Sequence, residues 1–187
     1  MIIKAQTYEI KGLSYIIRSA VAQDAEQLSA LRLQVDGETE NLDREQGEGW
    51  MGPAEFSALI AADTVSSRNL FLVADVQGRL AGFARCQGNE LSRLAHQAEF
   101  GVGVLQEFWG YGMGRSLLAQ AASWADAIGL EKLSLKVLET NDKAIKLYGR
   151  LGFEVEGVLR RDKRLADGQF YNTIVMGRLR RDRVGDS

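Results

Sequence analysis

The chain is short of the side chains that build most metal, redox and nucleophile sites. It has one cysteine, Cys86, and one histidine, His96. A single cysteine excludes an internal disulfide framework and a cysteine-built zinc site, and a single histidine offers no imidazole cluster to a metal. No long hydrophobic run is present: the longest apolar stretches, Leu70 to Ala74 among them, fall far below the ~20 residues that cross a bilayer. The first fifteen residues carry Lys4, Glu9 and Lys11 without an apolar signal core, so the chain reads as cytoplasmic, with no membrane partner. Neither sign of charge dominates: 23 Lys and Arg against 25 Asp and Glu leave a net charge of -2. That balance gives no general attraction to nucleic acid. Proline is nearly absent, with Pro53 alone.

Glycine is in excess, at 20 of 187 residues, where about 7% is usual. With 45% hydrophobic and 26% charged residues, the chain has the composition of one folded domain. Residues 13–180 read as that domain, 1–12 as an N-terminal extension or extra strand, and 181–187 as a tail.

Patterning places the elements. Residues 13–21 read as a strand, with Tyr15, Ile16 and Ile17 as β-formers. Asp24 opens a helix on which Ala25, Leu28, Leu31, Leu33 and Val35 recur, and 36–52 reads as a loop. Pro53 suits the first turn of a short second helix carrying Phe56, Leu59 and Ile60. Residues 69–86 read as a hairpin turning at Gln77-Gly78-Arg79, and 97–105 as a strand alternating Ala98, Phe100, Val102 and Val104. From Gly112 to Ile128, Met113, Leu117, Leu118, Ala121, Trp124 and Ala125 keep helical spacing, and Gly129 is placed to cap it. A strand at 132–138, a helix at 141–151 and strands near 153–159 and 170–179 follow. The order β-α-α-β-β-β-α-β-α-β-β predicts an α/β (α+β type) domain of about seven strands and four helices. Its sheet is mostly antiparallel, and the helical crossover between 97–105 and 132–138 implies one central parallel pair.

The glycines cluster at Gly110-Tyr111-Gly112-Met113-Gly114-Arg115, between a strand and a long helix. Such a turn lets backbone approach a ligand closely, and the helix start offers unpaired N–H groups suited to a phosphate or pyrophosphate. The spacing matches neither a Walker loop, which needs Gly-Lys-Ser/Thr, nor a Rossmann loop, which needs Gly-x-Gly-x-x-Gly on a parallel sheet. A plain strand-to-helix turn without ligand fits it too. Further on, Asn141 and Tyr148 sit seven residues apart on one helix, roughly 10 Å along its axis. They are equally readable as an N-cap and a core residue.

Together, VGVLQEFWGYGMGRSLL and the later LETNDKAIKLYGRLGFEVEG resemble the GNAT superfamily of acetyl-CoA-dependent N-acetyltransferases. The likeness is clearest over 69–160. It also resembles a bacterial subset with a Trp-Gly-x-Gly-x-Gly loop, here Trp109 to Gly114. The resemblance implies that acetyl-CoA is the co-substrate. Its pyrophosphate would lie on the backbone of Gly110, Tyr111, Gly112, Met113, Gly114 and Arg115, its pantetheine arm along Val102, Gly103 and Val104. Asn141 would be a further cofactor contact. Tyr148 would be the general acid that protonates the leaving thiolate, which needs no covalent enzyme intermediate, so Cys86 reads as an interior strand residue.

The general base is less determined. Where ribosomal-protein acetyltransferases place a glutamate, this chain has Lys136. Glu99 is the first alternative. His96 is the second, as the side-chain type whose ordinary titration lies nearest neutrality. The resemblance implies that the acceptor would be an amine of a small molecule or a protein N-terminus. Acidic residues Asp36, Glu38, Glu40, Asp43, Glu45 and Glu48 would draw a cationic amine, or form a solvated loop. Residues 160–170 are the other variable stretch. Arg160, Arg161, Lys163 and Arg164, with Arg178, Arg180, Arg181 and Arg183, read as solvated ends unless they gather into one patch. Family members often dimerise, so a homodimer is the assembly to test. The competing reading from another class is a module that binds acetyl-CoA without turnover.

Overall fold

The computed structural model describes residues 2–180; the stretch 181–187, with Arg181 and Arg183, lies outside the described residues. Eight strands form one sheet in the order β1-β2-β3-β4-β5-β6-β8-β7. They are β1 (Gln6–Ile10), β2 (Leu13–Ser19), β3 (Leu70–Val76), β4 (Arg79–Gly88), β5 (Gln97–Val104), β6 (Lys132–Leu138), β7 (Glu154–Arg164) and β8 (Phe170–Leu179). The helices are α1 (Ala25–Glu38), α2 (Pro53–Val65), α3 (Met113–Ala127) and α4 (Asp142–Arg150). Every neighbouring pair is antiparallel except β5 and β6, the pair joined through α3. The expected mixed architecture is therefore present, with eight strands where about seven were expected.

The additional strand is β1. It pairs with β2 from Gln6↔Ile17 to Ile10↔Leu13, and its Tyr8 ring stacks on Tyr15 with centroids 5.4 Å apart. The β3–β4 turn needs only Gln77 and Gly78, both at positive φ (52° and 88°), the mirror-type turn that suits strand twist. Arg79 already belongs to β4.

Two apolar layers cover the sheet. On one face α3 buries Met113, Leu117, Leu118, Ala121, Trp124 and Ala125 against Ile17, Leu72, Phe100 and Leu133. Burying each Leu or Met of this set contributes about 1.5–3 kcal/mol. The helix ends as its sequence requires: Gly129 sits at φ +77°, and Leu130 N–H reaches back to the Ala125 oxygen at 2.9 Å. On the other face α1 and α2 bury Leu28, Leu31, Val35, Phe56 and Ile60 against Phe71, Val73 and Leu80.

Two boundaries differ from the sequence reading. Helix α1 continues through residue 38 because Asp36, which reads as the start of a polar loop, turns inward. It is 6% exposed and held by Arg44 at 3.0 Å and Arg32 at 3.7 Å. Strand β7 runs to Arg164, since Lys163 and Arg164 pair with Tyr171 and Phe170; the connection shrinks to 165–169.

Candidate active site

The parallel pair is short. β5 and β6 pair only at Gln97↔Lys132, Ala98↔Leu133 and Glu99↔Ser134, and then separate. Beyond that point β5 keeps its partner on the other side, through Gly82↔Val104 and the Leu105 N–H to Ala81 oxygen bond of 3.0 Å. Backbone direction alternates along a strand, so the N–H groups of Val102 and Val104 are turned from β4 toward the gap. The Val104 carbonyl accepts a 2.8 Å hydrogen bond from the Trp109 indole nitrogen, which ties the strand end to the glycine loop. Gly103 is buried, and a Cβ there would lie 3.0 Å from the Phe83 ring and 3.2 Å from Val35.

The loop that follows is built on left-handed backbone. Gly110 and Gly112 have φ +86° and +76°, and Gly112 is the N-cap of α3. A Cβ on Gly112 would approach Ile10 Cδ1 to 2.9 Å, whereas one on Gly114 would meet nothing within 4 Å. The Met113 side chain points into the core at 1% exposure, so only its backbone belongs to the loop surface; Arg115 is exposed and Tyr111 half-buried. Tyr15 hydroxyl and Ser116 hydroxyl, 2.9 Å apart and buried, pin the first turn of α3 to β2.

One basic residue at this loop was not foreseen. Lys11, at φ +52° in the β1–β2 turn, brings its Nζ to 3.9 Å from where a Gly110 Cβ would stand. No local pattern marks it, because only the pairing of β1 with β2 carries it there.

Asn141 and Tyr148 take the two ends of α4. Asn141 is the N-cap, its Oδ1 accepting from Ala144 N–H at 3.2 Å. Tyr148 is 9% exposed in the cluster holding Phe100, Leu135 and Val137, 6.1 Å from the Phe153 ring. Burial disfavours the phenolate and pushes this hydroxyl's pKa up to about 12. Cys86 is 1% exposed within β4, and burial pushes its thiol well above the ordinary range.

On the opposite sheet face, where β5 and β6 begin to part, lies a cavity of about 600 Å³. Glu99 lines it with Arg44, Arg85, Gln87, Asn89 and Ser134. Lys136 Nζ lies 3.7 Å from Glu99 Oε1, both side chains being about half exposed. His96 is exposed just before β5 and does not line this cavity; its carbonyl accepts from Glu131 and Lys132 N–H.

The acidic segment is not a free anionic surface. Besides Asp36, Glu38 accepts from Gln106 N–H, Glu40 from Ala166 N–H and Glu48 from Glu45 N–H, and Asp43 pairs with Lys163. The basic C-terminal residues are likewise dispersed: Arg178 grips Asp126, Arg180 grips Glu131 and Arg161 lies over Phe170.

The sequence profile of the acetyltransferase (GNAT) family matches residues 37–153. The chain belongs to that family. This GNAT chain is 27% identical over 110 residues to the L-amino acid N-acetyltransferase AaaT of Escherichia coli K12, covering 58% of the chain and 67% of that protein. It is 32% identical over 105 residues to the spermidine N(1)-acetyltransferase of the same organism, covering 56% and 55%. The match thus spans only about half the length of the second relative. Among solved structures, a GNAT-family acetyltransferase from Streptococcus pneumoniae aligns with TM-score 0.85 at 28% identity, covering 88% of this chain and 99% of that one. A putative Salmonella typhimurium acetyltransferase, yncA, solved with acetyl-CoA, shares the fold with TM-score 0.78 at 19% identity, covering 91% and 96%. The GNAT profile begins after β1, β2 and most of α1, so Lys11 and Tyr15 are supplied by a part of the chain outside the matched residues.

Proposed function

We propose that this GNAT chain transfers the acetyl group of acetyl-CoA directly to a primary amine of a small molecule or a peptide N-terminus. The observation that carries this reading is the parting of β5 from β6 after Glu99, which leaves backbone amides unpaired between the glycine loop and a 600 Å³ cavity. An elongated thioester fits there with one end on each. The backbone of Gly110 to Arg115 takes the pyrophosphate, with Lys11 and Arg115 as flanking cations. Val102, Gly103 and Val104 take the pantetheine arm as an added strand would. Asn141, whose carbonyl is committed to the cap, keeps its amide N–H₂ for the cofactor.

The chemistry needs proton traffic at both ends of the transfer. The acceptor arrives as an ammonium and loses one proton before attack; Glu99, lining the acceptor cavity, is the group that takes or relays it. The amine nitrogen bonds to the thioester carbonyl carbon, the C–S bond breaks, the nitrogen sheds a second proton and the thiolate gains one. Tyr148 supplies that proton, and the second proton shed by the nitrogen, passed on directly or through water, restores the phenol, so that one proton is released overall. Its pKa near 12 keeps it protonated at every working pH. The same value places full transfer to a thiolate of about 8.5 uphill by roughly 3–4 units, so the phenol acts best by donating as C–S cleavage develops.

A second reading, a module that binds acetyl-CoA without turnover, is favoured by one observation: Lys136 occupies Glu99 as an ion-pair partner. Thiol release from acetyl-CoA decides between them. Release that depends on an added amine is the expected result; binding of acetyl-CoA with no release for any amine or peptide supports the module.

A further inference from the structure

The cavity beside Glu99 carries arginine chemistry that acetyl transfer itself does not require. Arg85 on β4 and Arg44 in the α1–α2 connection both line it. Each is held by a buried carboxylate. Asp63, 2% exposed, takes Arg85 Nε at 2.6 Å and Nη2 at 2.9 Å. Asp36, 6% exposed, takes Arg44 Nε at 3.0 Å and Nη2 at 3.3 Å. A guanidinium has five N–H donors. Among the described residues Arg44 gives hydrogen bonds to Asp36 alone, and Arg85 adds one more to Gln87 Oε1 at 2.7 Å. Both therefore reach the cavity fixed in place and with donors unspent.

The register sets the spacing. Gly101 stands directly opposite Arg85, and Glu99 opposite Gln87. Arg85 and Glu99 are thus diagonal neighbours, roughly 7–8 Å apart at the backbone. A Cβ on Gly101 would meet nothing within 4 Å, so bare backbone lies between the cation and the carboxylate. The charged residues that line this space are Arg44, Arg85 and Glu99; each arginine is paired with a buried aspartate behind it, and Glu99 with Lys136 outside the lining. A second ammonium on an acceptor would find no carboxylate besides Glu99 among the lining residues, while a carboxylate would meet unspent, prepositioned N–H groups.

We propose that the acceptor is a carboxylate-bearing amine, an amino acid or close analogue, bound with its carboxylate on Arg44 and Arg85 and its amine at Glu99. This rests on the acetyltransferase reading above, which it narrows by excluding polyamines.

The test is thiol release from acetyl-CoA with amino acids, each run beside its own carboxamide, and with spermidine. The expected result is a kcat/KM for some amino acids at least ~10-fold above that of their carboxamides, with spermidine weaker still. In Arg44→Gln that preference collapses to within about twofold through KM; Asp36 keeps only Arg32 at 3.7 Å, so some loss of melting temperature is expected, and circular dichroism at the assay temperature shows that the variant is folded. Equal use of amino acids and carboxamides, or a preference for spermidine, overturns the proposal while leaving the acetyltransferase reading intact. Calorimetric titration with N-acetyl amino acids reads the pocket without turnover. Their binding, weakened at least ~5-fold in Arg44→Gln, in a protein that never releases thiol would uphold the carboxylate site and overturn catalysis. No turnover and no such binding overturns both.

Discussion

Glu99, the last residue of β5 paired with β6, reaches past its partner Ser134 to Lys136, two residues further along β6, with Oε1 and Nζ 3.7 Å apart. Both are about half exposed, so the pair contributes roughly 0–1 kcal/mol to stability. Its position, at the rim of the acceptor cavity, matters more than its strength. Glu99→Gln keeps size and hydrogen bonding but loses the proton acceptor. It is expected to lower kcat at least ~10-fold, with the melting temperature barely changed. Lys136→Gln should stay within about threefold of the parent. A Glu99→Gln enzyme with full kcat would remove Glu99 from the mechanism and return attention to a water-borne base.

Tyr148 is buried against Phe153 near the end of α4. Tyr148→Phe preserves the ring and removes only the hydroxyl. Turnover should fall at least ~10-fold while acetyl-CoA affinity stays within about threefold, because the lost group acts on the departing thiolate. Rapid-mix thiol release and calorimetry measure the two quantities separately. A loss of affinity matching the loss of rate would make Tyr148 a binding residue instead.

The same burial has a consequence for stability. Tyr148 ionises near 12 in the folded protein and near its ordinary value of 10.0 when unfolded. Between these values the unfolded chain has lost a proton that the folded chain keeps, so stability falls as pH rises through that window and is unaffected below it. The contribution is about 3 kcal/mol at most. Denaturant titrations at pH 8 and at pH 11 should show the parent losing more stability than Tyr148→Phe. Identical losses would place the phenol in a wetter environment than the structure gives it.

At the glycine loop the decisive neighbour comes from far away in sequence. Lys11 Nζ beside Gly110 adds a cation, with Arg115, to a site otherwise made of backbone N–H groups. Lys11→Gln should raise the KM for acetyl-CoA roughly 3–10-fold, leave kcat alone and reduce the salt sensitivity of binding. An unchanged KM at low salt would leave the loop backbone and Arg115 as sufficient.

How far the sequence speaks for itself follows from the range of the interactions involved. The apolar set of α3, the Gln77-Gly78 turn and the entry of α2 at Pro53 are local patterns and stand in the structure where the residues place them. The clustering of the loop glycines is a local pattern too, whereas Tyr148 reads locally as a core residue and stands out only through the family resemblance. Asp36 defeats local reading, because an aspartate followed by glycine looks like the end of a helix until Arg44 and Arg32 are brought to it. The acidic segment likewise looks like a surface for cations; its partners Gln106, Ala166 and Lys163 come from the β5–α3 connection and the β7–β8 hairpin. Arg44 and Arg85 are unremarkable in sequence, since what distinguishes them is a shared cavity formed by segments forty residues apart.

Asp63 tests whether the acceptor cavity is held from behind. It lies on α2, 2% exposed, and accepts from Arg85 through both oxygens and from Asn69 Nδ2 at 2.7 Å. Asn69 in turn accepts from Gly88 N–H at 2.9 Å, so one carboxylate links α2, the start of β3 and the end of β4. Removing Asp63 leaves a partly solvent-reachable Arg85 and the Asn69 amide without their acceptor, at a cost of about 1–3 kcal/mol. Asp63→Ala should therefore lower stability by that order and release Arg85 from its fixed direction. Asp63→Asn, which retains the shape and one acceptor oxygen, should be milder in stability yet still raise the acceptor KM, since Arg85 loses its two-point grip. An Asp63→Asn enzyme with parental acceptor KM would show that Arg85 is oriented by the β4 backbone and Gln87 alone.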